Sequence, residues 1–127
     1  MKLQTIERDY PKALDEFLNF VWGNIDNITE GEADKEGLNA YEFIENNLID
    51  IFGDINIRVL WEFFDSQNVF IEFVVPYVDA AGNARFCYNV YCENPKLTKV
   101  SKPYKNRYTS IQEGFIYGFD FLEFQKE

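Results

Sequence analysis

The chain contains no histidine. That removes the commonest general base and the commonest metal ligand together. Cysteine is scarce too. Cys87 and Cys92 are the only two, five positions apart in a run that reads as one strand. Their side chains then point to opposite faces and cannot bridge. Both are expected as reduced structural thiols, and no metal centre or cofactor is expected. No run of about 18 apolar residues occurs, so no membrane-spanning helix is expected. The opening MKLQTIERDYPK places charges where a secretory signal needs an apolar core, so the expected location is cytoplasmic.

What is present is apolar, aromatic and acidic. Of 127 residues 46% are hydrophobic and 18% aromatic, with 13 Phe and 8 Tyr. Chains that stay disordered are poor in such residues. The length fits a single domain over residues 1–127. The net charge of −10 is uneven: residues 1–54 hold 4 basic and 13 acidic side chains, whereas residues 95–127 hold 6 and 4. An acidic surface repels phosphates and steers basic partners.

Hydrophobic spacing gives the elements. Asp9-Tyr10-Pro11 reads as a cap followed by first-turn proline. Leu14, Phe17, Leu18, Val21, Trp22 and Ile25 then recur with helical period, so a helix is expected at about 10–23. An acidic loop follows at about 24–38. A second helix is expected at about 39–52, with Tyr41, Ile44, Leu48 and Ile51 as its stripe and Gly53 as its C-terminal cap. INIRVLWEFFD at 55–65 then alternates, which predicts a strand with Ile55, Ile57, Val59, Trp61 and Phe63 on one face. A turn at Ser66-Gln67-Asn68 would lead to a second strand at 69–79, with Phe63 opposite Ile71 and Glu62 opposite Glu72. AAGN at 80–83 is the next turn, setting Phe73 against Val90 and Tyr77 against Phe86. LTKVSK at 97–102 adds a short edge strand guarded by lysine. Ser110 with Glu113 forms a capping box for a closing helix that begins at Thr109 or Ser110. The class is therefore α+β, with the order α-α-β-β-β-(β)-α and an antiparallel meander packed against helices.

The segment NRYTSIQEGFIYGFDFLEFQ carries six rings in twenty residues. On a helical wheel Ile111, Phe115, Phe119 and Leu122 form one stripe, with Gly118 at its edge. Tyr117, Phe121 and Phe124 form another, with Gly114 beside it. A helix with two apolar faces is covered on both sides or exposes rings. The sheet has a second apolar face as well, including Phe64 and Phe70. Tyr117, Phe121, Phe124, Phe64 and Phe70 are therefore the candidate interface, for a protein partner or a homodimer. Gly114-x-x-x-Gly118 points to a close approach by a neighbour.

Chemistry finds little footing. Glu62 and Glu72 as a cross-strand carboxylate pair flanked by Arg58 read as structural. Ser66, Ser101 and Ser110 sit in turn, linker or cap contexts. Glu30, Glu32, Asp34 and Glu36 alternate, but counting from Glu30 the sixth and twelfth positions are Lys35 and Tyr41, which fails the calcium-loop pattern. No catalytic residue is assigned, and the chain is not expected to be an enzyme. A separate cluster is basic: Lys96, Lys99, Lys102, Lys105 and Arg107 fall within twelve acid-free residues, interleaved with Tyr104 and Tyr108. These are the candidate phosphate contacts of an alternative, RNA- or DNA-binding reading. Residues 39–125 in the order helix, three antiparallel strands, helix resemble a double-stranded-RNA-binding domain, though the last helix opens TSIQEGF without the lysine-rich start of that family.

The ending YTSIQEGFIYGFDFLEF after a β-meander is similar to the tails of small uncharacterised phage and prophage proteins. The likeness spans roughly 40–125 and implies a mobile-element origin but no functional residue. The leading expectation is thus a non-enzymatic interaction or accessory protein, including the form of an acidic inhibitor that occludes a nucleic-acid-binding enzyme.

Overall fold

The computed structural model describes residues 1–24, 37–92 and 97–125, without the side chains of Pro76, Leu97 and Thr98. The fold is α+β. The described elements are α1 (Leu3–Asp9), α2 (Pro11–Gly23), α3 (Ala40–Asn47), α4 (Ile57–Ser66), β1 (Val69–Val78), β2 (Ala84–Cys92), β3 (Leu97–Val100) and α5 (Arg107–Gln125). Two compact units result, one of Met1–Phe63 with Phe119–Glu127 and one of Phe64–Gly118. The acidic loop expected at 24–38 lies almost wholly outside the described residues.

The first unit is helical. α1 was not legible in the sequence: it is seven residues long and buries only Leu3 and Ile6. α2 falls where the spacing predicts it, with Pro11 at its start and Ala13, Leu14, Phe17 and Val21 buried. Asp9 is not its cap; that carboxylate pairs with Arg8 at 2.8 Å. The orphan amides of the first turn are met instead from the far end of the chain. Glu123 accepts hydrogen bonds from the N–H groups of Lys12 and Ala13, both at 2.9 Å. α3 is capped by Asn39, which accepts from the Glu42 N–H at 2.9 Å. It is shorter than expected, ending at Asn47. Gly53 is therefore not a helix cap but the left-handed residue of a later turn, at φ +81°. The core is ring-rich: Phe63 and Phe119 both pack with Phe17, and Trp22 meets Phe43 edge-on at 6.2 Å.

The run 55–65 is a correction. It forms helix α4, not a strand. Ile55, Ile57, Val59, Trp61 and Phe63 alternate, yet Val59, Leu60, Phe63 and Phe64 also recur at helical spacing, and these four are the buried residues of the helix, with Ile55 buried just before it. A short apolar run fits both periods. Asn56 breaks the tie, accepting from the N–H groups of Arg58 at 2.9 Å and Val59 at 3.4 Å, as a helix N-cap does. Glu62 then reaches Arg58 one turn away, at 3.5 Å. The expected Glu62–Glu72 pairing does not exist; Glu72 accepts from Asn89 at 3.1 Å. Ser66-Gln67-Asn68 is accordingly a helix end and not a hairpin turn, with Asn68 at φ 59°.

The second unit is a three-stranded antiparallel sheet in the order β1-β2-β3, with part of α5. The hairpin forms at the expected turn, but its register is corrected: Phe73 lies opposite Tyr88, Ile71 opposite Val90, and Tyr77 opposite Arg85. A register shift between Val74 and Tyr77 separates the two parts of the ladder. A bulge of this kind cannot be counted from turn length alone. β3 is the expected edge strand. Cys87 and Cys92 are free and buried, and the ladder puts them on opposite faces.

The hairpin turn is tied by Asp79, which accepts from the N–H groups of Ala81 and Asn83, both at 3.0 Å, and pairs with Arg85 at 2.5 Å. Chiefly the Asn83 N–H, then the Ala81 N–H and the Arg85 charge, hold this carboxyl below its ordinary value of 3.8. The group is more acidic folded than unfolded. Its stabilisation is therefore complete above about pH 5, begins to fall as the unfolded carboxyl titrates, and is lost as pH falls through the depressed value. Thermal midpoints of the native protein and of Asp79→Asn should differ near neutrality and converge at the acid end of a pH series. A gap that stays constant with pH would show the charge to be irrelevant.

α5 begins at Arg107, two to three residues before the expected start. Its cap is Asn106, which accepts from the Thr109 N–H at 3.2 Å, and Ser110 is buried inside the helix. The two glycines have their reason in the second unit. A Cβ on Gly114 would lie 2.6 Å from the Phe73 ring, and one on Gly118 would lie 2.7 Å from the Phe64 ring. The close approach read from the sequence is made by rings.

Candidate functional site

In the second unit, β3 and the strand-like segment after it run beside β2: Ser101 exchanges backbone and side-chain bonds with Tyr88, and Phe86 bridges to Tyr104. This brings basic side chains to a line of rings. Lys99 stands over Tyr117 at 5.9 Å, Lys102 over Tyr104 at 5.5 Å, and Arg107 over Phe86 at 4.8 Å. Tyr88 stacks on Tyr104 at 6.4 Å. Burial first, then Tyr104 and Glu113, push the Tyr88 hydroxyl up to about 12, so it stays neutral. Lys105 is exposed, and Lys96 lies outside the described residues. The basic segment is thus gathered on one surface, but its rings are already faced by its own cations. Such pairs hold the segment in place and leave less ring face for stacking a base.

The candidate interface divides. Phe64 is a correction: it is fully buried, stacked on Phe115 at 5.9 Å, and is withdrawn from any partner. Tyr117 is half-buried and packs by Tyr88 at 6.3 Å. Phe121 is half-buried, and Phe70 and Phe124 are exposed. The crowding of rings on α5 also finds its cause. Phe115 and Tyr117 serve the second unit, whereas Phe119 serves the first, meeting Tyr10, Phe17 and Phe63.

The first unit carries the charge. By sequence it holds 6 basic and 17 acidic side chains, a net −11, against 6 and 5 for the second unit, a net +1. Glu7 and Glu45 lie near Tyr41 from α1 and α3; burial first, and then these two carboxylates, raise its hydroxyl above 10.0. The same unit holds the turn Asp50–Asp54, which sequence reasoning missed by extending α3 through it. Asp50 Oδ1 accepts from the N–H groups of Phe52 and Asp54, both at 2.9 Å. The Asp50 N–H donates to the Asp54 carbonyl at 2.8 Å, and Gly53 returns a bond to Asp50 at 3.0 Å. Two aspartates bracketing a glycine were the available signal. Asp54 is buried and pairs with the Met1 ammonium at 3.1 Å. Burial outweighs that attraction and holds the amine below its ordinary 8.0. Lys2 donates to the Phe52 carbonyl from the other side.

The turn holds up two large apolar side chains. Ile51 is 93% exposed and Phe52 is 73% exposed.

No family model, curated protein or solved structure matches this chain. The function must be argued from these surfaces alone. Among the described residues no group of three or more His, Cys, Asp or Glu is placed to hold a metal ion. No described helix is long and apolar enough to cross a membrane. The order helix, three antiparallel strands, helix reads again over 57–125, with α4 now the first helix. It is a likeness of order only.

Proposed function

We propose that the chain is a non-enzymatic interaction protein whose acidic first unit engages a basic surface on another protein. In keeping with the phage-like ending, it acts as a cytoplasmic accessory factor of a mobile element, in the manner of an inhibitor that covers a nucleic-acid-binding surface. The observation that carries this reading is the partition of charge: by sequence −11 for one unit and +1 for the other, and over the described residues alone 4 basic and 11 acidic side chains, −7, against 5 and 4, +1. Charge spread for solubility alone has no cause to follow unit boundaries, whereas charge that steers a partner does. Nucleic-acid binding through Lys99, Lys102, Lys105 and Arg107 is the weaker reading, because three of these cations stand over rings of their own unit. Self-association through Tyr117, Phe121 and Phe124 is weaker too, since only Phe124 of the three is exposed.

The test uses immobilised protein and a variant in which the exposed Glu7, Glu42 and Glu45 are changed to Gln. Proteins that the native chain retains at about 0.1 M salt should be released as the Debye length shrinks at about 1 M. The variant should retain markedly less of them while keeping its circular dichroism. Equal retention by both proteins at both salt concentrations defeats the reading. So does retention of RNA or DNA alone.

A further inference from the structure

We infer that the turn Asp50–Asp54 is the apolar anchor of this interaction, with Ile51 and Phe52 entering an apolar pocket on a protein whose pocket rim is basic. The inference rests on the acidic-partner reading above. Exposure of one large apolar side chain is ordinary. Here two adjacent ones project from a backbone that is fixed on every side. Asp50 holds two amides of the turn, Gly53 takes the left-handed conformation the bend needs, and an antiparallel bridge joins Ile49 to Ile55 at its base. The Ile55 N–H donates to the Met1 carbonyl at 2.9 Å. A turn held this firmly loses little conformational freedom when its side chains are buried by a partner, and preorganisation of that kind is a main source of affinity. Buried aromatic and aliphatic anchors flanked by weaker polar contacts are the usual anatomy of a protein interface.

Charge selects the occupant. A second copy docking here would bring two units of net −11 together, and like charges across an interface oppose association. An anionic lipid surface is opposed for the same reason. Lys2, a positive side chain at the turn, is directed back to the Phe52 carbonyl and Asp54. A cationic rim on the partner answers the net negative charge of the first unit, while the pocket takes the two apolar groups.

The experiment places a photo-crosslinking benzoylphenylalanine at position 52 of the full chain, with the same residue at Thr109 in the second unit as control, and irradiates both in lysate. The protein crosslinked from position 52 but not from 109 is then purified. Its affinity is measured for the native chain, for Ile51→Ser/Phe52→Ser, and for the Glu7/Glu42/Glu45→Gln variant. Each lost anchor should weaken binding at least about tenfold, so the double variant should lose about 100-fold with its circular dichroism unchanged. The carboxylate variant should lose affinity chiefly at low salt. If the double variant binds as the native chain does while the carboxylate variant fails, the anchor is wrong and the acidic reading stands. If neither substitution matters, both fall. Flotation with phosphatidylserine or phosphatidylcholine vesicles, abolished by Ile51→Ser/Phe52→Ser, would make the turn a lipid anchor and overturn the inference. A crosslink to a second copy, or none above the control, overturns it as well.

Discussion

Phe119→Ala should destabilise the protein by about 3–5 kcal/mol, the usual cost of removing a fully buried ring and leaving a cavity. Phe119 has no exposed surface, and its ring lies 5.9 Å from Phe63, 6.0 Å from Phe17 and 6.2 Å from Tyr10. α2, α4 and Tyr10 at the junction of α1 and α2 therefore lose a shared partner at once. Since small proteins are stable by only about 5–15 kcal/mol, urea unfolding of this variant should begin near zero denaturant. Phe124→Ala on the same helix is the control. That ring is 66% exposed, so its loss should stay within about 0.5 kcal/mol. Equal costs at the two positions would mean that the wrong stripe of α5 has been taken as core.

Gly118 is the second sensitive position. Glycine inside a helix ordinarily costs up to about 1 kcal/mol relative to alanine, so Gly→Ala on a helix often stabilises. Here the sign should reverse. The added methyl would meet Phe64 at 2.7 and 2.8 Å and Ile71 at 3.0 Å. Phe64 is fully buried and stacked on Phe115, so it has nowhere to swing. Overpacking of this kind costs about 1–3 kcal/mol. Gly118→Ala should be net destabilising despite its helix propensity, and Gly118→Val more so, near the upper end of that range. Gly114→Ala meets the Phe73 ring at 2.6 Å, but Phe73 is only half-buried and can turn outward. Its cost should be clearly smaller. Thermal melts of the three variants give the order, and a stabilised Gly118→Ala would show that the helix stands further from those rings.

Local signals carried much of the fold. Pro11 with the apolar period after it placed α2, the spacing of Tyr41, Ile44 and Leu48 placed α3, and the turn at 80–83 placed the hairpin. The lysine-bearing edge strand was legible because edge protection is written in side chains. The same holds for the α5 core stripe, where Phe115, Phe119 and Leu122 are all buried. The candidate site was legible only in part. The basic segment is a run in sequence, so its gathering on one surface was foreseeable, but the cation-over-ring pairs depend on β3 lying beside β2. Ile51 and Phe52 were missed because apolar residues at helical spacing look like core until the backbone turns away beneath them.

By itself the sequence determined the α+β class, the free and diverging cysteines, the aromatic core and the acidic first half. Each of these follows from composition or from a period longer than the ambiguity it must resolve. Tertiary structure decided the rest. Residues 57–66 fit both the helical and the strand period; the Asn56 cap favours the helix locally, and burial of Leu60 and Phe64 together with Val59 and Phe63 completes the choice. The hairpin register turned on a bulge, whose extra residue leaves no mark in the alternation of side chains. Phe115 and Phe119, neighbours on one stripe of α5, pack within different compact units. Membership of a unit is set by contacts between residues far apart in the chain, and no local pattern records them.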